Sequence, residues 1–100
     1  QDVHLIDVRE PDEYKEGHIP TAANLPLSVL PDALGWSEED FKAKFGFDMP
    51  PKDQNVVFYC RSGVRSTHAS EAAQKGGWMK IHNYKGSWLD WQNQGATRNT

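Results

Sequence analysis

The sequence predicts an α/β fold in which a small parallel sheet is flanked by helices on both sides. Short apolar segments of strand length alternate with helical segments along the chain. The clearest strand, Asn55-Val56-Val57-Phe58-Tyr59-Cys60, is continuously apolar after its first residue. Such runs belong to strands buried on both faces in the middle of a parallel sheet. The 100 residues suffice for a single domain, 1–100, with one core.

His4-Leu5-Ile6-Asp7-Val8 is a short apolar run ending in charge and reads as a buried strand. Pro11-Asp12-Glu13-Tyr14-Lys15-Glu16 has proline and acids in front and Gly17 behind, which marks a short helix. His18 to Leu25 turns into a second short strand. Leu27 to Leu34 predicts another short helix, bounded by Pro26 and interrupted near Pro31. Ser37 caps a helix over Glu38–Phe45, with acids first, lysines last and Gly46 at its end. After the Asn55–Cys60 strand, Arg61 to Arg65 form a tight loop around Gly63. A helix is expected over Ser66–Lys75, closed by Gly76-Gly77, then a strand over Lys80–Tyr84. Gly86-Ser87 opens a last helix, whose Trp88, Trp91 and Gln92 share a face at i, i+3 and i+4.

Composition narrows the function. The formal net charge is −3, with no long run of Lys or Arg, which argues against nucleic acid or an anionic membrane as partner. No stretch approaches the roughly 18 apolar residues that a membrane-spanning helix needs, and no signal peptide opens the chain. The chain has one cysteine, so an intramolecular disulfide is excluded. A lone thiol fits a reducing, intracellular compartment, either the cytoplasm or the mitochondrial matrix.

Cys60 stands at the carboxyl end of the central strand, where open α/β sheets bind their ligands. A thiol attacks as its thiolate, and three local features favour that form. The backbone N–H groups of Arg61-Ser62-Gly63-Val64-Arg65 can curl toward the sulfur, with Gly63 supplying the unusual dihedrals of such a nest. The helix expected from Ser66 points its positive end at the same spot and supports it. Arg61 and Arg65 add full positive charges. A persulfide, itself an anion, would be stabilised in the same way. The bland alternative is an inert core cysteine, since free Cys is commonly buried. Two adjoining arginines argue against it.

Three segments resemble the rhodanese family. Asp7-Val8-Arg9-Glu10-Pro11-Asp12-Glu13-Tyr14 through Gly17-His18-Ile19-Pro20, then Ala22 to Pro26, is similar to its first signature. Val57 to Ser66 is similar to its active-site loop, and Gly77-Trp78, Asn83 to Trp88 and Trp91 to its closing signature. The resemblance spans about His4 to Gly95. It implies a parallel sheet flanked by helices and a persulfide-forming Cys60. It places the Arg61–Arg65 loop around the sulfane sulfur, and Asp7 and Arg9 in a structural network nearby. Thr21 and Ser87 stand where that family commonly has glycine. The family's usual strand and helix ahead of Asp7 are absent or reduced here.

The resemblance implies a sulfurtransferase that works by covalent catalysis. Thiosulfate or a persulfide donates sulfur to Cys60, and cyanide, glutathione or a thioredoxin-like thiol accepts it. No metal or organic cofactor is expected. A Cys-dependent phosphatase or arsenate reductase is the enzymatic rival, and such phosphatases place one more residue between cysteine and arginine than the four separating Cys60 from Arg65. A sulfur-relay or partner-binding module with little turnover is the other rival. His4, His18, His68 and His82 show no metal-ligand spacing. Ser62 and Ser66 are read as loop and cap hydroxyls, Trp88 and Trp91 as packing, and Glu38 to Asp40 as a solvated helix start.

Overall fold

The computed structural model describes residues 3–98. Four strands are β1 (Val3–Asp7), β2 (Ala23–Asn24), β3 (Asn55–Tyr59) and β4 (Lys80–Asn83). They pair in the order β2-β1-β3-β4, and every pair is parallel. The run read as central is central: β3 lies between β1 and β4, with Asp7 opposite Tyr59 and Val57 opposite His82. Asn55-to-Tyr59 alternation then separates two cores. Val56 and Phe58, with Ile6, face one side and Tyr59 the other.

The helices are α1 (Pro11–Glu16), α2 (Leu30–Ala33), α3 (Glu38–Phe45), α4 (Val64–Lys75) and α5 (Ser87–Arg98). The larger core sets Leu30 and Ala33 of α2, Phe41 of α3 and Ala69 and Ala73 of α4 against the first sheet face. On the other face Tyr59, Ile19 and Ala22 gather Leu5, Tyr84, Trp88 and Trp91. Cys60 belongs to the first cluster by position, one residue past the end of β3. The sheet thus ends at the cysteine, with helical layers on each side of it.

The strands differ from expectation by one residue at their ends, β1 spanning Val3–Asp7, β3 stopping at Tyr59 and β4 at Asn83, and two helices differ more. The helix expected over residues 27–34 shortens to Leu30–Ala33, because Pro31 falls in its first turn instead of interrupting it. A proline there gives up an N–H that would have no intrahelical partner. More consequential, α4 begins at Val64, two residues ahead of Ser66, behind Gly63 in a left-handed conformation at φ 102°. Val64 and Arg65 therefore belong to the first turn of the helix, and Ser66 lies inside it rather than at its cap. By contrast α3 begins and ends as read: Ser37 accepts the Asp40 N–H at 3.1 Å, and Gly46 closes it at φ 80°.

Thr21 and Ser87, the two departures from the family pattern, both adopt positive φ, at 74° and 56°. A residue with a Cβ is strained there, by roughly 1–2 kcal/mol, and a β-branched threonine is the rarer occupant. Thr21 sits in an exposed turn. Ser87 has compensation, because its buried hydroxyl accepts the Cys60 N–H at 3.1 Å and donates to the Tyr84 carbonyl at 2.7 Å.

Candidate active site

The end of β3 delivers Cys60 to the amino end of α4, and the sequence between them leaves the chain little room. Gly63 turns left-handed, so its own N–H donates to Cys60 Sγ at 3.1 Å. The Ser66 N–H, in the first turn of α4, donates to the same sulfur at 3.4 Å. The hydroxyls of Ser66 and Ser87 lie 3.7 and 3.9 Å from it. Ser66 Oγ also donates to the Gly63 carbonyl at 3.2 Å, and Thr67 Oγ1 does so at 2.8 Å. These bonds hold the loop's carbonyl away from the sulfur and its amides toward it.

A second helix end meets the same loop. The Trp88 N–H donates to the Cys60 carbonyl at 2.9 Å, and the Leu89 N–H to the Arg61 carbonyl at 3.1 Å. The first free amides of α5 are thus satisfied by the loop's backbone. Both α4 and α5 aim their positive ends at the segment around Cys60.

The consequence is a thiol that is 1% exposed but not in an apolar setting. Burial pushes its pKa up. The Ser66 amide and hydroxyl, then the Gly63 and Ser62 amides, outweigh burial and hold it below the ordinary cysteine value. Charge from arginine was expected to share that work, and the geometry assigns most of it to dipoles instead. Arg65 turns to α1, where its Nη1 and Nη2 reach Glu13 Oε1 and Oε2 at 2.7 and 3.0 Å. That pairing, more than the thiolate, holds Arg65 above its ordinary value, while Glu13 is lowered to about 2. Arg61 is exposed and lines the cleft beside the loop. Val64 is 64% exposed, and Ser62 is exposed as well.

Asp7 and Arg9 are joined in a buried ion pair. Asp7 Oδ1 accepts the Arg9 backbone N–H at 2.8 Å, and Oδ2 accepts Arg9 Nη2 at 2.7 Å. Arg9 Nη2 also donates to the Gly17 carbonyl at 2.6 Å. The guanidinium lies 5.0 Å from the Trp88 ring. Trp88 in turn walls a 230 Å³ cleft beside the loop, with Arg9, Glu13, Glu16, Arg61 and Gln92 among its lining residues. His4, His18, His68 and His82 make separate local contacts, to Gln54, Tyr14, Glu71 and Asn55. Among the described residues, no group of three or more His, Cys, Asp or Glu is placed to hold a metal ion.

The chain's sequence and fold are matched in known proteins. The model of the rhodanese-like domain matches residues 1–94. The chain belongs to the rhodanese family. A mitochondrial protein of Schizosaccharomyces pombe is 51% identical over 90 residues, covering 90% of this chain and 63% of that protein. The mitochondrial thiosulfate sulfurtransferase RDL2 of Saccharomyces cerevisiae is 41% identical, over 92% of this chain and 62% of its own length. The chain therefore spans a little under two thirds of these relatives. The structure of the human single-domain sulfurtransferase TSTD1 superposes with a TM-score of 0.89 at 32% identity, covering 92% of this chain and 82% of that one.

Within this rhodanese site, Gly63 is the residue with least freedom. A Cβ built on it would stand 2.4 Å from the Lys85 carbonyl oxygen, and its φ of 102° excludes most side chains independently. Gly63→Ala is expected to cost about 2–4 kcal/mol of stability and to slow alkylation of Cys60 by about tenfold as the loop opens. Urea unfolding midpoints and iodoacetamide rates check both. Ser87 and the Ser66 hydroxyl also line the sulfur or its backbone, Ser87 from 27 residues away, a placement that local sequence does not signal.

Proposed function

We propose that this rhodanese domain is a sulfurtransferase that moves a sulfane sulfur through a Cys60 persulfide. The observation that carries the reading is the Cys60 sulfur facing the Gly63 and Ser66 amides at the amino end of α4. The Cys60 thiolate attacks the outer sulfur of thiosulfate, the S–S bond breaks, and sulfite leaves with the bonding pair. The terminal sulfur of the resulting persulfide carries the negative charge. The amides that stabilise the thiolate are preorganised for that anion too. Cyanide or a thiolate then attacks the terminal sulfur, and Cys60 departs as thiolate, ready for a second cycle. A persulfide of another thiol serves equally as donor, and glutathione or a thioredoxin-like protein thiol as acceptor.

Support comes from the names of relatives. RDL2 is a thiosulfate sulfurtransferase, and further relatives from Saccharomyces cerevisiae and human are thiosulfate:glutathione sulfurtransferases. Mitochondrial relatives and the lone thiol favour a reducing compartment, the mitochondrial matrix or the cytoplasm. No helix among the described residues is long and apolar enough to cross a membrane. A phosphatase is disfavoured by geometry, since Arg65 is engaged by Glu13 instead of standing over the thiol as a phosphate clamp.

Intact-mass spectrometry after mixing with thiosulfate tests the proposal. The expected product is one added sulfur atom per chain, removed by cyanide. A chain whose thiol alkylates readily but never gains sulfur would defeat the reading.

A further inference from the structure

The charges around the loop are arranged in an unexpected way for a site that takes an anionic donor. Arg9 is neutralised by Asp7, with 2.7 Å between Nη2 and Oδ2. Arg65 is neutralised by Glu13 through two parallel contacts, across 52 residues of sequence. Arg61 alone of the loop's two guanidinium groups is turned to the cleft, which Glu13 and Glu16 also line. An anion entering there meets two carboxylates and finds the nearest helix-borne cation already occupied.

Glu13 is also held in place from its own side. Its Oε1 accepts the Glu10 N–H at 3.0 Å, closing the first turn of α1. The carboxylate is therefore fixed before it meets Arg65, and the two-pronged geometry leaves the guanidinium no free edge on that side. With its pKa lowered to about 2, Glu13 stays charged across the whole working range.

We propose that Glu13 is a specificity residue, which withholds Arg65 from the sulfur site and so weakens the use of dianionic donors such as thiosulfate relative to less charged persulfides. This rests on the sulfurtransferase reading for its biological meaning, though not for its physical test. Glu13 lines the cleft but makes no bond to the sulfur, and in this role it acts through Arg65.

The test uses the chain's single thiol and two alkylating agents of similar size, anionic iodoacetate and neutral iodoacetamide. The ratio of their rates cancels the thiolate fraction and reports only how the site treats charge. Glu13→Gln keeps an oxygen for the Glu10 N–H and removes the charge. It should raise the iodoacetate-to-iodoacetamide ratio about tenfold when Arg65 is present, the worth of one released charge-assisted contact. In an Arg65→Met background the same change should raise it only about twofold to threefold, the through-space effect of one charge in a water-like medium. Arg65→Lys, whose ammonium cannot make the two-pronged pair, should also raise the ratio and serves if Glu13→Gln unfolds. In steady state, Glu13→Gln should lower the KM for thiosulfate several-fold. Equal gains from Glu13→Gln with and without Arg65, or no gain with Arg65→Lys, would overturn the proposal. A wild-type chain that takes up no sulfur would instead defeat the sulfurtransferase reading, and the alkylation ratios would still decide the role of Glu13.

Discussion

Cys60→Ser is expected to take up no sulfur from thiosulfate while keeping the fold. Serine differs from cysteine by one atom, and its hydroxyl is not ionised at any pH the fold tolerates, so no nucleophile remains. The oxygen still accepts hydrogen bonds from the Gly63 and Ser66 amides, which reach the sulfur at 3.1 and 3.4 Å in the wild type. Stability should therefore change by no more than about 1–2 kcal/mol. Cys60→Ala is the harsher variant, because it leaves those two buried amides without an acceptor, at about 1–3 kcal/mol for each unsatisfied group. Intact-mass spectrometry and urea unfolding of both variants check this. Sulfur uptake by Cys60→Ser at the wild-type rate would remove Cys60 from the chemistry.

The same pair of proteins carries a pH signature. The native thiol has a lowered pKa, so the folded state releases its proton before the unfolded state does. Between the lowered native value and the ordinary thiol value, the unfolded chain binds more protons. Stability there rises with pH. The increment is complete above the unfolded thiol's pKa and is lost as pH falls through the native one. Cys60→Ser lacks it, so the stability difference between wild type and variant should shift in favour of the wild type across that window.

What could be read from the sequence followed from how local each cause was. The apolar Asn55–Tyr59 run predicts a strand buried on both faces, and β3, like β1, is paired on both edges. Ser37 and Gly46 bracket α3 because capping is decided within a few residues. α4 starts two residues ahead of the expected Ser66 for a local reason. A hydroxyl at Ser66 reads as a cap, but the turn is made by Gly63, and the serine hydroxyl donates to the Gly63 carbonyl and faces the sulfur at 3.7 Å. Ser87 reads in the sequence only as a helix start standing where the family commonly has glycine; its bond to the Cys60 amide across the sheet end has no local signal. Arg65 shows the limit most plainly. Its charge is visible in the sequence, but the direction it faces depends on Glu13, brought near only when β1 and β3 pair and carry α1 and α4 together.

The Asp7–Arg9 pair sets the largest expected stability effect. Asp7 is fully buried and Arg9 is 4% exposed. Every strong partner of the guanidinium is fixed: both Asp7 oxygens, the Gly17 carbonyl and the Trp88 ring face. Asp7→Ala removes the counter-charge and leaves a buried cation facing one carbonyl and the flanking aromatic rings. The cost should be about 3–5 kcal/mol, a large part of the 5–15 kcal/mol typical of a whole domain. Asp7→Asn should cost less, because its amide oxygen still accepts from the Arg9 backbone N–H. Adding Arg9→Met to Asp7→Ala tests the cause. If the penalty is a stranded charge, the double variant should recover much of the lost stability despite carrying a second substitution, because methionine tolerates the apolar space beside Trp88 and Tyr59. Urea midpoints for the single and double variants give the coupling directly. Additive losses would mean that Asp7 matters for its backbone bond at the end of β1 and not for the charge it neutralises.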